Sequence, residues 1–334
     1  MRASHIVIGS EESPYSVKVR SYFRYKGIPH EWRERGQAAD LFAKHARLPL
    51  VPLVVTPEDT GIQDSTPIIE AMEEQFPEPG VHPAGAVAGF VSALLEEFGD
   101  EWGNKWMFHM RWAREIDQVT VSRRFAANAP PDRIDEMAKG IRERMVPRVW
   151  FVGSNDVTAP QIEQSFADVL KLLDIHLAPR PYLFGARPAF ADFGLWGQIY
   201  EAGRDPTAGA LVKDAPNVVA WIDRMLEPVD LGPFEDFAAL QPTLVPLLRD
   251  QVAALFLPWS VANVRRHAER AAVDPEAAEV PRQEPRGPED EVRGRGRRRG
   301  AGCPARGHRV QVVPYLVVEH TCNDVSARPQ APSR

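Results

Sequence analysis

The chain has 334 residues, of which 44% are hydrophobic and 26% charged, and its formal net charge is −6 at pH 7. These values are ordinary for a globular protein, and the length leaves room for two domains. The sequence pI near 5.9 argues against nucleic acid or an anionic membrane as the main partner. No uninterrupted apolar run approaches the roughly 18 residues of a membrane span, and no signal-peptide pattern opens the sequence, so the expected compartment is the cytoplasm.

Cysteine and histidine usage excludes several chemistries. Cys303 and Cys322 are the two cysteines of the chain. The first 302 residues therefore carry no disulfide framework, no CxxC redox motif and no cysteine nucleophile. The nine histidines lack paired metal-ligand spacing, and the chain has no P-loop, GxGxxG or GxSxG motif, so we expect no metal and no nucleotide site.

The first 80 residues alternate strand and helix patterns. Short runs of residues that favour β-structure predict four strands, at "HIVIG", "IPHEWRE", "LVPLVVT" and "GIQ". Capping residues followed by a proline predict the start of a helix at "SPYSVKVRSYFRYK" and at "DSTPIIEAMEEQF". A further short helix is predicted at "AADLFAKHA". The predicted order is βαβαββα, an α/β domain of residues 1–80.

The remaining sequence divides into two parts. Apolar residues spaced by three and four predict an all-α domain over residues 86–273, including one helix across "EWGNKWMFHMRWAREIDQV". Residues 274–334 are rich in Pro, Gly, Arg and Glu, which predicts a disordered tail that a frameshift or a fused gene remnant would explain. The expected fold is therefore a thioredoxin-like α/β domain, an all-helical domain and a disordered tail.

Three features of the first domain follow one another in a characteristic order. Ser13-Pro14 opens the first helix, Val51-Pro52 places a proline in an apolar strand, and Asp64-Ser65 opens the third helix. A proline in such a strand indicates a bulge or a cis bond. The ordered triple resembles the cytosolic glutathione transferases of the serine type, whose N-terminal domain has the thioredoxin fold. The resemblance covers roughly residues 4–228.

The second domain adds to this resemblance. In "PYLFGARPAFADFGLWGQIY", Gly185 and Asp192 match the family's buried helix-start motif, and Ala189 stands where the family has a hydroxyl cap. Loss of such a cap typically costs about 0.5–2 kcal/mol. We expect Asp192 still to serve the helix N-terminus electrostatically.

The resemblance implies that Ser13 donates its hydroxyl to the sulfur of glutathione and stabilises the thiolate. The alternative interpretation, that Ser13 is only a helix cap and has no catalytic role, stays open. Tyr15 is the alternative hydroxyl but fits a packing position better, and Ser16 is a weaker third candidate.

The resemblance also implies the residues that bind glutathione. The backbone of Val51 would pair with the cysteinyl part, with Pro52 in cis exposing its polar groups. Ser65 and the helix N-terminus would take the γ-glutamyl carboxylate, and Asp64 would take the ammonium group. Ordinary helix capping is the competing interpretation of Asp64 and Ser65.

The pocket for the second substrate has weaker sequence support. Trp106, His109 and Trp112 are candidate lining residues, although an aromatic stripe on a helix is more often core. Arg111 could bind an acidic co-substrate, or it could be simply solvated. The paired carboxylates Glu96-Glu97 are expected at a solvated helix face.

The resulting interpretation is an enzyme that conjugates glutathione to a small hydrophobic electrophile, with glutathione as co-substrate and no metal or organic cofactor. The resemblance implies a role in detoxification and a homodimer. Two rivals stay open: a non-catalytic binding or scaffold protein of this fold, and a glutathione-dependent isomerase or peroxidase.

Overall fold

The computed structural model describes residues 4–273, with side chains described through residue 266. Residues up to Ser260 form one compact unit, and Val261 begins a second. The predicted domain boundaries, 1–80 and 86–273, stay predictions. The predicted disordered tail, residues 274–334, lies outside the described residues.

The N-terminal region has the predicted βαβαββα order. Its strands are β1 (His5–Gly9), β2 (His30–Glu34), β3 (Leu53–Val55) and β4 (Gly61–Gln63), and its helices are α1 (Pro14–Tyr25), α2 (Ala39–His45) and α3 (Ser65–Gln75). The four strands form one sheet in the order β2-β1-β3-β4. β1 runs parallel to β2, whereas β3 is antiparallel to both of its neighbours. This small mixed sheet matches the predicted thioredoxin-like fold.

From Ala86 onward the described chain is helical. The elements are α4 (Ala86–Phe98), α5 (Asn104–Trp112), α6 (Glu115–Phe125), α7 (Ile134–Met145), α8 (Ala159–Leu177), α9 (Phe190–Gly203), α10 (Pro206–Lys213), α11 (Pro216–Leu226), α12 (Phe237–Leu247) and α13 (Leu257–Val273). A π-helical segment, Gly99–Gly103, joins α4 to α5 without a break. Such segments are rare and occur frequently at functional sites.

One predicted helix is two helices in the structure. The pattern across "EWGNKWMFHMRWAREIDQV" predicts a single element, but α5 ends at Trp112 and α6 begins at Glu115. Arg114 has extended backbone angles, φ −119° and ψ 141°, and serves as the N-cap of α6. Neither glycine nor proline marks this break, which is why the apolar spacing alone did not show it.

Helix α9 lies in the centre of the helical region and contacts α1 and α4 at its glycines. A Cβ at Gly194 would lie 2.7 Å from the carbonyl oxygen of Glu96 in α4. A Cβ at Gly197 would lie 2.6 Å from the carbonyl oxygen of Pro14 in α1. Both contacts are too close for any other residue type, so α9 fixes the position of α1 directly through the backbone.

Asp192 caps the start of α9 as expected. Its Oδ2 accepts a hydrogen bond from the Ala189 N–H at 2.8 Å, and its Oδ1 accepts from Leu183 N–H and Trp221 Nε1 at 2.9 and 2.8 Å. Asp192 thereby binds the N–H of the N-cap residue, which is the half of the capping arrangement that does not need the hydroxyl missing from Ala189. Gly185 before it has φ +125°, a conformation that favours glycine.

The last helices form one long element. α12 continues into α13 through a second π-helical segment, Leu248–Phe256, which follows Pro246. By length and composition the stretch Phe237–Arg266 is apolar enough to cross a membrane, and 28% of its most apolar window is buried. Sequence reasoning passed over this stretch because Arg249 and Asp250 interrupt its apolar run.

Candidate functional site

Strand register brings the three predicted site segments to one edge of the sheet. Ile8 near the end of β1 pairs with Leu53 at the start of β3, and Leu53 also pairs with Gln63 at the end of β4. The chain that leaves β1 toward Ser13, the chain that enters β3 from Val51, and the chain that leaves β4 toward Asp64 therefore lie side by side. Sequence order alone had left these segments about 40 and 50 residues apart.

Ser13 is the N-cap of α1 and is partly exposed. Its Oγ accepts a hydrogen bond from the Ser16 N–H at 3.3 Å. The Ser13 O–H has no acceptor in the part of the chain that the structure describes. The same side chain can therefore cap the helix as an acceptor and present a donor to a ligand.

The two competing hydroxyls are engaged or inaccessible. Tyr15 donates its hydroxyl to the Asp100 carbonyl at 2.8 Å, and burial raises the pKa of this phenol well above its usual range. Ser16 is fully buried, and its Cβ would lie 2.9 Å from a Cβ at Gly9. Ser13 is thus the accessible hydroxyl at this helix start.

The Val51–Pro52 peptide bond is cis, as the sequence indicated. Neither the N–H nor the C=O of Val51 has a backbone hydrogen-bond partner within residues 4–266. The Pro52 carbonyl accepts from the Asp64 N–H at 3.3 Å, which ties the second segment to the third. The free N–H and C=O of Val51 are available to pair with the backbone of an added peptide.

Asp64 begins α3 in an unusual backbone conformation, with φ +83° and ψ 137°. A non-glycine residue at positive φ stores strain that commonly marks a functional site. Its carboxylate is partly exposed and makes no hydrogen bond among the described residues. Asp64 is therefore free to bind a cationic group.

Ser65 lies differently from its predicted role. The side chain is fully buried, with its Oγ 3.3 Å from the Lys18 ammonium and 3.4 Å from Asp100 Oδ2. The predicted direct contact of this hydroxyl with a ligand carboxylate is therefore wrong in this structure, because a buried cation holds the hydroxyl inward. The backbone N–H groups at the start of α3 remain as the anion-binding groups.

A buried charge cluster stands behind this helix start, and sequence reasoning missed it. Lys18 of α1 is 1% exposed, and its Nζ lies 2.5 Å from Glu96 and 2.6 Å from Asp100. Thr66 donates to Glu96 at 2.6 Å. Burial opposes a charge on Lys18, but the two carboxylates outweigh it and raise the pKa of this ammonium. The expectation that Glu96 is solvated is wrong, since it is 2% exposed.

Glu101 is a carboxyl group of the helical region that interacts electrostatically with Asp64. It lies in the π-helical segment Gly99–Gly103 and is partly exposed. Burial, with the nearby Asp64 carboxylate as the next cause, raises the pKa of Glu101 to about 7. The helical region therefore brings a second carboxyl group within electrostatic range of Asp64.

The candidate pocket aromatics are core residues. Trp106 and Trp112 are each 1% exposed, and His109 is 2% exposed. Trp106 donates Nε1–H to Ser165 at 3.0 Å, and His109 Nε2 lies 2.9 Å from a Glu163 oxygen. Side chains that water cannot reach do not line a ligand pocket, so this prediction is corrected.

Arg111 is also not a solvated or ligand-binding residue. It is 2% exposed and forms ion pairs with Glu201 and Asp205 at 2.8 and 3.0 Å. Burial alone would lower the pKa of the guanidinium, but these two carboxylates raise it. Arg111 therefore has an internal role.

A groove of about 560 Å³ lies between α8 and the segment Leu248–Phe256, lined by Gln164, Asp168, Lys171, Asp250, Gln251 and Leu255 among others. It contains none of the predicted site residues. We place the candidate site at the sheet edge instead, because uncommitted donors and acceptors converge there. Within residues 4–273, no group of three or more His, Cys, Asp or Glu could hold a metal ion.

Sequence comparison now assigns the family. The profile of the glutathione S-transferase N-terminal domain matches residues 7–80, and that of the C-terminal domain matches residues 132–224. The chain belongs to the glutathione S-transferase family. The ordered triple Ser13-Pro14, Val51-Pro52 and Asp64-Ser65 thus indicated the correct family.

Structure comparison matches the chain to solved proteins of low sequence identity. A glutathione S-transferase from Methylobacterium radiotolerans in complex with glutathione sulfonate is 18% identical, with 70% of this chain and 96% of that chain covered and a TM-score of 0.43. A tau-class enzyme from mango is 17% identical over 74% and 100% of the two chains, with a TM-score of 0.43. A β-etherase from Sphingobium sp. strain SYK-6 is 19% identical over 66% and 94%, with a TM-score of 0.49. No curated protein sequence matches the chain.

Proposed function

We propose that this glutathione S-transferase family protein conjugates the thiolate of glutathione to small hydrophobic electrophiles, with Ser13 as the residue that stabilises the thiolate. The observation that carries the proposal is the accessible Ser13 hydroxyl. It caps α1 as an acceptor at 3.3 Å and keeps its O–H free at the edge where Val51 and Asp64 also lie.

Ser13 acts as a hydrogen-bond donor and not as a base, because the pKa of a serine hydroxyl is far above that of a thiol. A free thiol has a pKa of about 8.5 and is only a few per cent ionised at neutral pH. One hydrogen bond to a charged sulfur contributes about 1.5–3 kcal/mol, and the helix N-terminus about 0.3–1 kcal/mol. At about 1.36 kcal/mol per pKa unit, these terms together lower the thiol pKa by roughly one to three units. Where the lowering exceeds about one and a half units, the thiolate becomes the major form of bound glutathione at neutral pH.

The rest of glutathione would bind along the same edge. The free N–H and C=O of Val51 pair with the cysteinyl part, as in strand addition, beside Pro52. The N–H groups that open α3 take the γ-glutamyl carboxylate, and the free Asp64 carboxylate takes the ammonium group. Ser65 supports this helix start from the inside, through its contact with Lys18.

We also propose a homodimer that acts without an organic cofactor. Large apolar side chains remain exposed on the chain, such as Leu50 at 54% and Phe90 at 67%, and they would be covered by a second copy. Light scattering after size-exclusion chromatography measures the mass directly. A mass of one chain at micromolar concentration would contradict the dimer and leave the site proposal intact.

The test of Ser13 uses three substitutions that separate capping from donation. Ser13→Ala removes both, and costs about 0.5–2 kcal/mol of stability. Ser13→Gly removes the hydroxyl but caps within a few tenths of a kcal/mol. Ser13→Thr keeps both. We expect the thiol pKa of bound glutathione, read from thiolate ultraviolet absorbance, to rise by about one unit or more in the Ala and Gly variants only.

Turnover completes the test. At about pH 6.5 the Ser13→Gly rate should fall much further than glutathione affinity, since the lost bond matters mainly to the thiolate. A wild-type thiol pKa and rate in Ser13→Gly would show that Ser13 is a cap and nothing more. Binding without turnover of generic electrophiles would favour a scaffold role, and turnover only with a peroxide or a cis-enoyl substrate would favour a peroxidase or isomerase.

A further inference from the structure

Two backbone carbonyls directly before Ser13 are held by arginines of the helical region. Arg111 of α5 donates Nη1–H to the Glu12 carbonyl at 2.9 Å. Arg204, which follows α9, donates Nη1–H to the Glu11 carbonyl at 2.7 Å. The peptide that leads into the Ser13 cap is therefore fixed by side chains about 100 and 190 residues away in sequence.

The Glu12 side chain is held by the same region. It is 7% exposed, and each of its carboxylate oxygens accepts a charged hydrogen bond. Oε1 accepts from Arg204 Nη2 at 2.9 Å, and Oε2 accepts from Arg124 Nε of α6 at 2.9 Å. Glu12 can therefore rotate neither its backbone nor its carboxylate without breaking an ion pair.

Two buried acids in turn orient the arginines. Arg111 contacts Glu201 Oε2 at 2.8 Å and Asp205 Oδ2 at 3.0 Å, and Arg124 Nη2 contacts Asp205 Oδ1 at 2.5 Å. Glu201 is 0% exposed and Asp205 is 1% exposed. We call the set of Arg111, Arg124, Arg204, Glu12, Glu201 and Asp205 the arginine clamp. Its three positive charges balance its three negative charges.

A buried ion network of this kind is an inefficient source of stability, because desolvation offsets most of the attraction between its charges. Its effect is geometric, since a fully satisfied network admits one arrangement of its members. The segment that it fixes, Glu11–Glu12, ends one residue before Ser13, the proposed hydrogen-bond donor to the thiolate. A displacement of about 1 Å at a catalytic group can cost about 100-fold in rate.

We propose that Arg111, Arg124 and Arg204 are positioning residues that hold the Glu11–Glu12 backbone so that the Ser13 hydroxyl points at the substrate sulfur. This inference rests on the proposed role of Ser13. The helical region thereby contributes to thiolate formation without touching glutathione, through the chain segment that enters α1.

The test compares Arg204→Gln and Arg111→Lys with a matched control elsewhere. Arg180→Gln removes an arginine that is 9% exposed, pairs with Glu235 at 3.2 Å and donates to the His176 carbonyl at 2.6 Å. Arg180 makes no contact with the Glu11–Glu12 segment. All variants are checked for folding by circular dichroism and urea unfolding before kinetics.

We expect each clamp variant to raise the thiol pKa of bound glutathione by about half a unit or more and to lower kcat about tenfold, while the glutathione Kd changes less than about threefold. Arg180→Gln should lose stability and keep the wild-type thiol pKa. Arg111→Lys keeps the charge but not the fork of donors, so its effect on kcat distinguishes geometry from charge. Arg204 has a 26% exposed side chain, and its variant keeps the test available if Arg111→Lys fails to fold.

Folded clamp variants with wild-type thiol pKa and kcat would overturn the inference, as would an equal pKa shift in Arg180→Gln. The thiol pKa measured in Ser13→Gly shows whether only the inference about the arginine clamp fails or whether the proposed function fails as well. A pKa effect at Ser13 without one at the clamp refutes the clamp alone. No effect at Ser13, or no glutathione binding by the wild type, refutes both.

Discussion

Replacing Lys18 with methionine should destabilise the protein strongly. The substitution conserves the unbranched side chain but leaves Glu96 and Asp100, whose side chains are 3% and 11% exposed, without their cation. Removing one partner of a buried ion pair costs about 3–5 kcal/mol, because the remaining charge is buried and uncompensated. At about 2–4 °C per kcal/mol for a domain of this size, the melting temperature should fall by roughly 6–20 °C.

The loss should also depend on pH. Burial already raises the pKa of Asp100, and without the cation this carboxyl becomes harder to ionise in the folded state. A carboxyl whose pKa is raised by folding contributes stability below its unfolded pKa and loses it as pH rises through its folded pKa. The deficit of Lys18→Met relative to wild type should therefore be larger at about pH 8 than at about pH 5.

Urea unfolding at both pH values measures this deficit, with the slope of the transition checked for two-state behaviour. Adding Glu96→Gln and Asp100→Asn to Lys18→Met removes the stranded charges and should recover at least half of the lost free energy. A loss below about 1 kcal/mol at the higher pH would refute the reasoning. So would a triple variant that is no more stable than the single one.

The other predictions concern helix contacts and the half-buried carboxyl group of Glu97. Gly194→Ala should lose about 1–3 kcal/mol of unfolding free energy, because its Cβ would meet the Glu96 backbone at 2.7 Å. Gly140→Ala in α7, with nothing within 4 Å, should gain up to about 1 kcal/mol, and equal effects would contradict the α4–α9 contact. Burial, followed by Glu96, raises the pKa of Glu97 to about 8, so wild-type stability relative to Glu97→Gln should fall as pH rises from about 4.5 to 8. Thermal melts across this range measure the difference, and a flat difference would show that Glu97 titrates normally.

Local signals in the sequence predicted the elements of the N-terminal region well. Ser13-Pro14 predicted the start of α1 correctly, because an N-cap residue and a proline at N1 both act within the first helical turn. Gly27 similarly marked its end with φ +60°. Asp192 was correctly expected at the start of α9 because its partner, the Ala189 N–H, is three residues away.

Long-range partners were not predictable in the same way. Lys18 lies between two valines in α1, and nothing near it in sequence identifies Glu96 or Asp100, which are 78 and 82 residues away. The same holds for Arg111, whose acidic partners Glu201 and Asp205 follow it by 90 residues or more. The spacing of Trp106 and Trp112 fits a pocket wall and a core equally well. Only the packing of α8 and its neighbours against α5 decides between them.

The glycine contacts of α9 have a consequence for how such a protein can change over evolution. Side chains between two helices act as an adjustable spacer, since a larger or smaller residue moves the helices apart or together. At Gly197 no such spacer exists, and the backbone of α9 rests directly on the Pro14 carbonyl beside Ser13. Substitutions elsewhere in the helical region can therefore accumulate while the distance between α9 and the start of α1 at Ser13 stays constant.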